Sequence, residues 1–331
     1  MGIPRKALVT GINGFLGSHL AKELLAQGVE VHGMVRNPQQ VPYLDALGIA
    51  KKVTIHACDL KSFEQVKKVV AADSWDYIFH LGAQSDLAKS IQFPLETIQT
   101  NVMGGTHLLE SMRVHKMECP IILGGSVRAM DLSSKEDEVT HPYDASKAAI
   151  ELIAKSYFRE YKLIGGVVNN TNIYGPNDLN FYRLIPKIMK GIFTEGKMLL
   201  KGDGKETKDF MYVMDYVSAI VRLGEMLRVR KVASAQSFVF ATGKTTPVES
   251  VVNIIRSLAK VPCTISFDGL AFQPIQHRNA DKPETMELNP EETMKQLNWK
   301  PSFSLEQGMQ QTMEWYHDYF TTQTKKGSEN Q

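Results

Sequence analysis

Two stretches of this sequence carry residue types suited to chemistry. Tyr143 and Lys147 stand four residues apart in Tyr143-Asp144-Ala145-Ser146-Lys147, which opens a strongly helical segment running to about Tyr161. Positions i and i+4 share a helix face, so the ammonium can lie beside the phenol. A phenol ordinarily ionises near pH 10, too high for proton transfer at neutrality. A cation at about 4 Å, in a medium of effective dielectric near 20, favours phenolate by about 4 kcal/mol and lowers the pKa by roughly three before desolvation subtracts. The pair is therefore a candidate general acid/base. Most Y-x-x-x-K pairs are ordinary helix-surface neighbours, so its place in the chain decides its meaning.

The second stretch is Gly11-Ile12-Asn13-Gly14-Phe15-Leu16-Gly17. Glycines at this spacing permit a tight turn, close approach of the backbone to a pyrophosphate and tight packing of a helix on a sheet. The helix that follows offers unpaired N–H groups and a partial positive charge to phosphates. Glycines also make ordinary turns, but here they join a short apolar run, residues 7–10, to an amphipathic segment, 14–27, with Leu16, Leu20, Leu24 and Leu25 at helical spacing. That context predicts a dinucleotide site.

Positioning these groups requires a sheet. Short β-branched runs at 7–10, 30–35, 52–57, 77–81, 120–124 and 166–170 alternate with helical patterns, including a long one at 94–114. Such alternation predicts an α/β fold, a doubly wound parallel sheet with helices on both faces. After Gly175-Pro176 the pattern loosens into turn-rich stretches such as Gly202-Asp203-Gly204. The expected organisation is a dinucleotide-binding domain over 1–175, a strand near 236–242 returning to it, a smaller C-terminal α/β substrate lobe over 176–320, and a flexible polar tail at 321–331.

Bulk composition narrows the classes. The 331 residues are 43% hydrophobic and 22% charged, with 38 basic against 36 acidic side chains and a net charge of +2. Such a chain can bury a core, and no basic block suggests nucleic acid. Cys58, Cys119 and Cys263 are scattered and lack metal-binding spacing, which fits a reducing, cytoplasmic setting and no structural metal. No apolar run approaches 18 residues, so no membrane span is expected.

The G-x-x-G-x-x-G spacing, followed by Y-x-x-x-K, resembles the extended branch of the short-chain dehydrogenase/reductase superfamily over roughly residues 5 to 317. The resemblance implies a Rossmann-type domain and a nicotinamide cofactor held by Gly11, Asn13, Gly14, Phe15, Leu16 and Gly17. Asp59-Leu60 resembles the adenine-contacting pair, and His80-Leu81-Gly82-Ala83 the loop beneath the nicotinamide ribose, with Leu81 and Ala83 in contact. Tyr143 and Lys147 would also touch the cofactor. The second strand ends Val35-Arg36-Asn37, without the carboxylate that would accept the ribose hydroxyls of NAD. Arg36 suits a 2′-phosphate, so NADP is favoured and NAD is the alternative; a solvated surface arginine is the plainer reading.

Ile121-Ile122-Leu123-Gly124-Gly125-Ser126 resembles the strand ending in the family's triad serine. Ser126 would then orient the reacting oxygen toward Tyr143, unless it merely caps a loop. Asn101 stands where the family often has an asparagine, and a structural role comes first for it. Residues 31–36 and Leu81-Gly82-Ala83-Gln84-Ser85 resemble GDP-mannose 4,6-dehydratases, which adds Gln84 and Ser85 to the substrate side. Asn172-Ile173-Tyr174-Gly175-Pro176 resembles the turn that opens the substrate lobe. Lys208 and Arg278 resemble diphosphate-binding positions, with surface ion pairing as the alternative for each.

One departure matters. In nucleotide-sugar 4,6-dehydratases the matching serine is followed by one or two carboxylates that serve elimination, whereas this chain has Val127-Arg128. The expected activity is hydride transfer on a nucleoside-diphosphate sugar, foremost reduction of a 4-keto-6-deoxyhexose. A 4-epimerase with tightly held cofactor is the nearest alternative, a 4,6-dehydratase a weaker one. The resemblance also implies a homodimer or homotetramer.

Overall fold

The protein is described from a computed structural model over residues 6–130, 141–259, 261–269 and 289–329. β1 (Lys6–Thr10) leads through the glycine turn to α1 (Phe15–Ala26), followed by β2 (Glu30–Val35), α2 (Pro42–Ala46), β3 (Thr54–Ala57), α3 (Phe63–Val70) and β4 (Tyr77–His80). Then come α4 (Leu87–Gln92), α5 (Pro94–Ile98), α6 (Gly104–Val114), β5 (Ile121–Gly124), the short α7 (Val127–Met130), α8 (Pro142–Glu160) and β6 (Gly165–Asn170). The second half contains β7 (Asn172–Tyr174), α9 (Leu184–Lys190), β8 (Lys197–Leu200), β9 (Thr207–Tyr212), α10 (Val213–Arg228), β10 (Gln236–Phe240), β11 (Thr245–Pro247), α11 (Val248–Leu258), β12 (Thr264–Phe267), α12 (Glu291–Leu297) and α13 (Leu305–Glu329). These elements form two units, one drawn from Met1–Thr171, Tyr216–Phe240 and Pro290–Lys300, the other from the intervening segments and the C-terminal one.

The first unit is the doubly wound sheet that the alternation predicts. Its seven strands lie in the order β10-β6-β5-β4-β1-β2-β3, and every pairing is parallel. Parallel strands covered on both faces read as continuous apolar runs. Tyr77–His80 and Ile121–Leu123 are buried throughout for that reason. Leu8, Ile78 and Ile121 from the strands pack with Leu108 and Met112 of α6 and Phe158 of α8. Each such side chain contributes about 1.5–3 kcal/mol by leaving water. The strand order reverses direction between β1 and β4, the switch point at which ligands of open α/β sheets bind.

The segment expected to form one helix over 94–114 is divided. Gln99–Met103 winds as a π-helical turn between α5 and α6. Such an insertion rotates a side chain out of the α-helical register, and π turns concentrate at functional sites. Here Asn101 is the residue turned inward, and it is buried. The strand expected from residue 52 begins at Thr54, because Ala50–Lys52 forms a 3-10 turn.

The second unit holds a three-stranded sheet, β11-β9-β7, and a two-stranded parallel pair, β12-β8. Asp209 on β9 is buried and accepts the N–H groups of Thr242, Gly243 and Lys244. Asp215 accepts those of Ser302 and Phe303. Two carboxylates thus satisfy backbone donors of two loops that no regular element satisfies. On α13, a side chain at Gly308 would collide with the Tyr174 hydroxyl, which donates to the Leu305 carbonyl at 3.1 Å.

At the β2–β3 edge of the first unit, His32 Nδ1 and His56 Nε2 lie 3.0 Å apart with their rings stacked, and His32 Nε2 lies 2.7 Å from Glu30. One proton can occupy the gap between the rings, but two cannot. Burial, then the charge of His32, hold His56 below its ordinary value, with Asp73 opposing them. A histidine pKa lowered in the folded state stabilises the fold above the unfolded value, near 6.5, and that contribution is lost as pH falls through the folded value. Urea midpoints should accordingly fall more steeply on acidification below about pH 6.5 in the parent chain than in His56→Gln. Identical pH profiles would show that the pair carries no such linkage.

Candidate active site

The C-terminal ends of β1 and β4 meet without side chains between them. Gly11 has φ +68°, and a Cβ there would lie 2.7 Å from Gly82 Cα; one on Gly17 would lie 2.1 Å from the Gly11 carbonyl oxygen. Thr10 and His80 end the two strands. The Thr10 hydroxyl accepts the Gly82 N–H at 3.0 Å and shares a proton with His80 Nδ1 at 2.7 Å. Burial, helped by the Lys147 charge, pushes His80 down to about 3, so the ring is neutral. Gly14 then starts α1 from an extended conformation, with no side-chain cap and no acidic residue in the first turn. The first N–H groups of a helix so begun are available to an anion.

The residues expected to hold a cofactor have distinct surroundings. Asn13 donates to the Gln40 carbonyl at 2.9 Å and accepts the Tyr43 N–H at 3.2 Å, tying the glycine turn to the chain beyond β2. Phe15 is buried edge-on to His19, and Leu16 is half-buried. Arg36 has a side chain 67% exposed and 3.9 Å from Glu96. Asp59 accepts the Lys61 N–H, and Leu60 packs where side chains on Gly82 or Gly104 would otherwise stand. Leu81 is half-buried and Ala83 lies beside it in the same loop.

The helix pair lies at the start of α8. Proline at the first position of α8 starts the helix one residue before Tyr143. One turn on, Lys147 is buried and donates to the Gly124 carbonyl at 2.6 Å. Burial pushes its amine down to about 8. Lys147, Gly124, His80, Gly82, Ala83 and Asn101 line one pocket of the first unit. Asn101 accepts the Gln84 N–H at 2.7 Å and donates to the Gln84 carbonyl at 3.0 Å and to Ser146 Oγ at 2.9 Å. It thereby fastens the loop after β4 to the helix that bears Lys147.

Ser126 is buried in the turn after β5, where its N–H donates to Asn169 Oδ1 at 2.9 Å and its hydroxyl accepts the Arg128 N–H at 3.3 Å. Arg128 forks onto Asp144 through Nε at 2.9 Å and Nη2 at 3.2 Å, and Asp144 is nearly inaccessible. The ion pair joins the residue two past Ser126 to the residue next to Tyr143, so the serine turn and the first turn of α8 are held together.

On the predicted substrate side, Gln84 is engaged with the Asp86 backbone in its own loop and with Thr97 of α5, while Ser85 is exposed. Asn172 and Lys208 belong to the second unit. Asn172 is exposed and donates to the Asp209 carbonyl at 3.3 Å, and Lys208 pairs with Glu206 at 2.9 Å. Arg278 lies outside the described residues. Sequence reasoning passed over Thr10, Asp144, Glu151 and Asn169. The available signal was a polar residue inside an apolar strand or helix face, as in Gly165-Gly166-Val167-Val168-Asn169-Asn170. Among the described residues no cluster of three or more His, Cys, Asp or Glu suited to a metal ion occurs, and no helix is long and apolar enough to cross a membrane.

Comparison with known proteins adds a lineage to this geometry. Residues 8–312 match the family model described as GDP-mannose 4,6 dehydratase. A human dTDP-D-glucose 4,6-dehydratase is 25% identical over 96% of this chain and 92% of its own length. Among solved structures, UDP-glucose 4-epimerase of Thermotoga maritima with UDP-glucose superposes with a TM-score of 0.77 at 22% identity, covering 95% of this chain and 99% of that one. RMD of Pseudomonas aeruginosa complexed with NADPH does so with 0.76 at 17%, at the same coverages. At these identities the likeness to solved structures is a likeness of fold.

Thr10→Val keeps the shape of the side chain but strips the His80 ring and the Gly82 amide of their common partner. A buried polar group left unpaired costs about 1–3 kcal/mol. Equilibrium unfolding should therefore show a loss of roughly 2 kcal/mol or more, and a loss within error would show that neither group depends on the hydroxyl.

Proposed function

Since the chain belongs to the GDP-mannose 4,6-dehydratase family, we propose that it is an NADP-dependent oxidoreductase of nucleoside-diphosphate sugars that reduces a 4-keto-6-deoxyhexose. The observation that carries this reading is the Arg128–Asp144 pair. Where sequence resemblance puts the carboxylates of 4,6-dehydratases, this chain holds an arginine, and Asp144 is bound to it through both oxygens. An elimination needs a group that takes a carbon-bound proton and another that protonates the departing hydroxyl. Hydride transfer to a carbonyl needs neither.

The residues present suit a dinucleotide. A side chain on Gly11 or Gly17 would collide with the backbone of Gly82 or Gly11 and force the tight turn open, and the uncapped start of α1, free of acidic residues, suits a pyrophosphate. Arg36 would pair with a 2′-phosphate, and Lys147 would hold the nicotinamide ribose. The cofactor, when bound, supplies the hydride. Tyr143 gives its proton to the carbonyl oxygen as the alkoxide develops, and Ser126 orients that oxygen with a hydrogen bond. Lys147, a cation below about pH 8, stabilises the resulting phenolate. Asn172, Lys208 and Arg278 would serve the sugar nucleotide. A 4-epimerase requires the same groups, and a relative of that activity shares the fold.

We place the enzyme in the cytoplasm, where its three cysteines stay reduced. We also assign it a homodimer. Helices α5 and α8 pack together, and Leu95 and Leu152 on them are 66% and 69% exposed, with Ile98 beside them. Leu152→Glu should halve the mass by light scattering; an unchanged mass would exclude this face.

The function is tested by thermal shift and turnover. NADP should raise the melting temperature more than NAD, because a ligand that binds only the folded chain stabilises it, and Arg36→Asp should reverse the order. With NADPH and the 4-keto-6-deoxyhexoses of GDP, dTDP, UDP and CDP, one substrate should be reduced with one NADPH consumed per product, and Tyr143→Phe should lower kcat by about 10²-fold or more. Sugar interconversion without net NADPH consumption would select the epimerase, and no response to either dinucleotide would refute both.

A further inference from the structure

Asn169 is a fully buried carboxamide within β6, a strand otherwise committed to the sheet core. Its two ends face different partners. Oδ1 accepts the Ser126 N–H at 2.9 Å, and Nδ2 donates to Glu151 Oε2 at 3.0 Å. Glu151 lies on α8, one turn beyond Lys147 and two beyond Tyr143, and little of its side chain is exposed. Its other oxygen accepts from Ser237 Oγ of β10 at 2.5 Å and from Lys155 Nζ at 2.7 Å. Burial pushes this carboxyl up, but the hydrogen bonds from Lys155, Ser237 and Asn169 outweigh it and hold the group below the usual range, so it is ionised. Gly125 completes the arrangement, because a Cβ there would lie 2.2 Å from Asn169 Oδ1.

An ionised carboxylate only accepts hydrogen bonds. Its presence on one side of Asn169 obliges the NH2 end to face it and the carbonyl end to face Ser126. A reversed amide would set oxygen against carboxylate and NH2 against N–H, leaving both buried interactions repulsive. We propose that Glu151, acting through Asn169, fixes the main chain of Ser126 and is a positioning residue for its hydroxyl. This rests on the reading of Ser126 as the group that orients the reacting carbonyl. Glu151 acts at one remove from the serine hydroxyl, through the carboxamide; its effect is to remove freedom from the turn that carries Ser126. Displacements of about 1 Å at such a group lower rates by as much as 10²-fold.

The test exchanges amide and carboxylate. Asn169→Asp places a second carboxyl against Glu151. The charged groups around position 169 are Glu151, through it Lys155, and Lys147, which lines one pocket with Glu151 and Gly125 and titrates at about 8 in parent and variant alike, while the turn after β5 contributes the Ser126 amide and β10 the Ser237 hydroxyl. Two carboxyls at this distance share one proton, and the shared proton leaves at a raised pKa. While it is held, the introduced carboxyl imitates the carboxamide it replaces, donating to Glu151 and accepting from Ser126. In this variant the hydrogen bond donated to Glu151 is present at low pH and gives way to repulsion between two carboxylates as pH rises through the shared ionisation, which displaces the group that accepts the Ser126 N–H.

Hydrogen–deuterium exchange of the peptide covering 125–129, on the cofactor-free chain, should therefore match the parent near pH 5.5 and become faster than the parent on going to about pH 8.5. With the keto-sugar nucleotide found in the turnover panel, kcat of Asn169→Asp should fall on the order of ten-fold relative to the parent over the same interval, with a smaller change in KM. Glu151→Gln/Asn169→Asp restores one amide and one carboxylate, and should abolish the pH dependence and recover most of kcat. The proposal is overturned if Asn169→Asp follows the parent at every pH, or if the double variant is as impaired as the single one. Should no sugar nucleotide be turned over by the parent, the functional reading fails separately and the exchange measurement still decides whether Glu151 and Asn169 hold the serine turn.

Discussion

The first unit is organised around a contact between two backbones. Where β1 and β4 end, Gly11 and Gly82 approach so closely that neither tolerates a side chain, and the Thr10 hydroxyl bridges the neighbouring amide and ring. That contact lies at the reversal of strand order, the place in a parallel sheet where the loops diverge to opposite faces and leave a crevice. It brings the start of α1 to one side and the loop carrying Leu81 to Ser85 to the other. A methyl group on Gly11 would meet the Gly82 backbone and force the strand ends apart.

Around this floor, polar groups are buried at the ends of otherwise apolar elements, and the hydrogen bonds described above answer their main demands. Lys147 meets the Gly124 carbonyl, Asn101 meets both backbone groups of Gln84, Asn169 meets the Ser126 amide, and Asp144 meets Arg128. Such groups are stabilising only while partnered, so each specifies a geometry as well as filling space. The consequence is rigidity: the turns after β4 and β5 and the start of α8 are each held by a buried polar contact. Burial also brings the lysine near 8, where it is still a cation at neutral pH yet poorly shielded by water.

On the proposed reading, this chain departs from a simple dehydratase. Its distinguishing residues are few, and they concern charge more than shape. Arginine stands in place of an acid, and its countercharge is the residue following the tyrosine. Arg128 leaves no carboxylate at that position to take a proton from carbon, which is the ground on which hydride transfer without elimination is proposed. The second unit applies carboxylates differently, with Asp209 and Asp215 gathering loop amides that would otherwise remain unsatisfied.

Local patterns carried much of this into the sequence itself. The parallel sheet was legible because strands buried on both faces are apolar without interruption, and helices between them repeat at 3.6 residues. The glycine turn and the Tyr143–Lys147 spacing were legible because each depends on residues close in sequence. The π turn at Gln99–Met103 was not, since it answers a partner at Gln84 rather than any preference of its own residues. Nor were the present engagements of Asn13 and Gln84 with their surrounding loops, because a polar side chain has no local mark of what it will bond. By itself, then, the sequence determined the alternating strands and helices of the first unit and the residue types able to do chemistry, both consequences of short-range periodicity and side-chain identity. Only the tertiary structure decided that Asn169 and Glu151 stand behind Ser126, that Arg128 answers Asp144, and that Lys147 is buried, since burial and long-range pairing are properties of the packed chain.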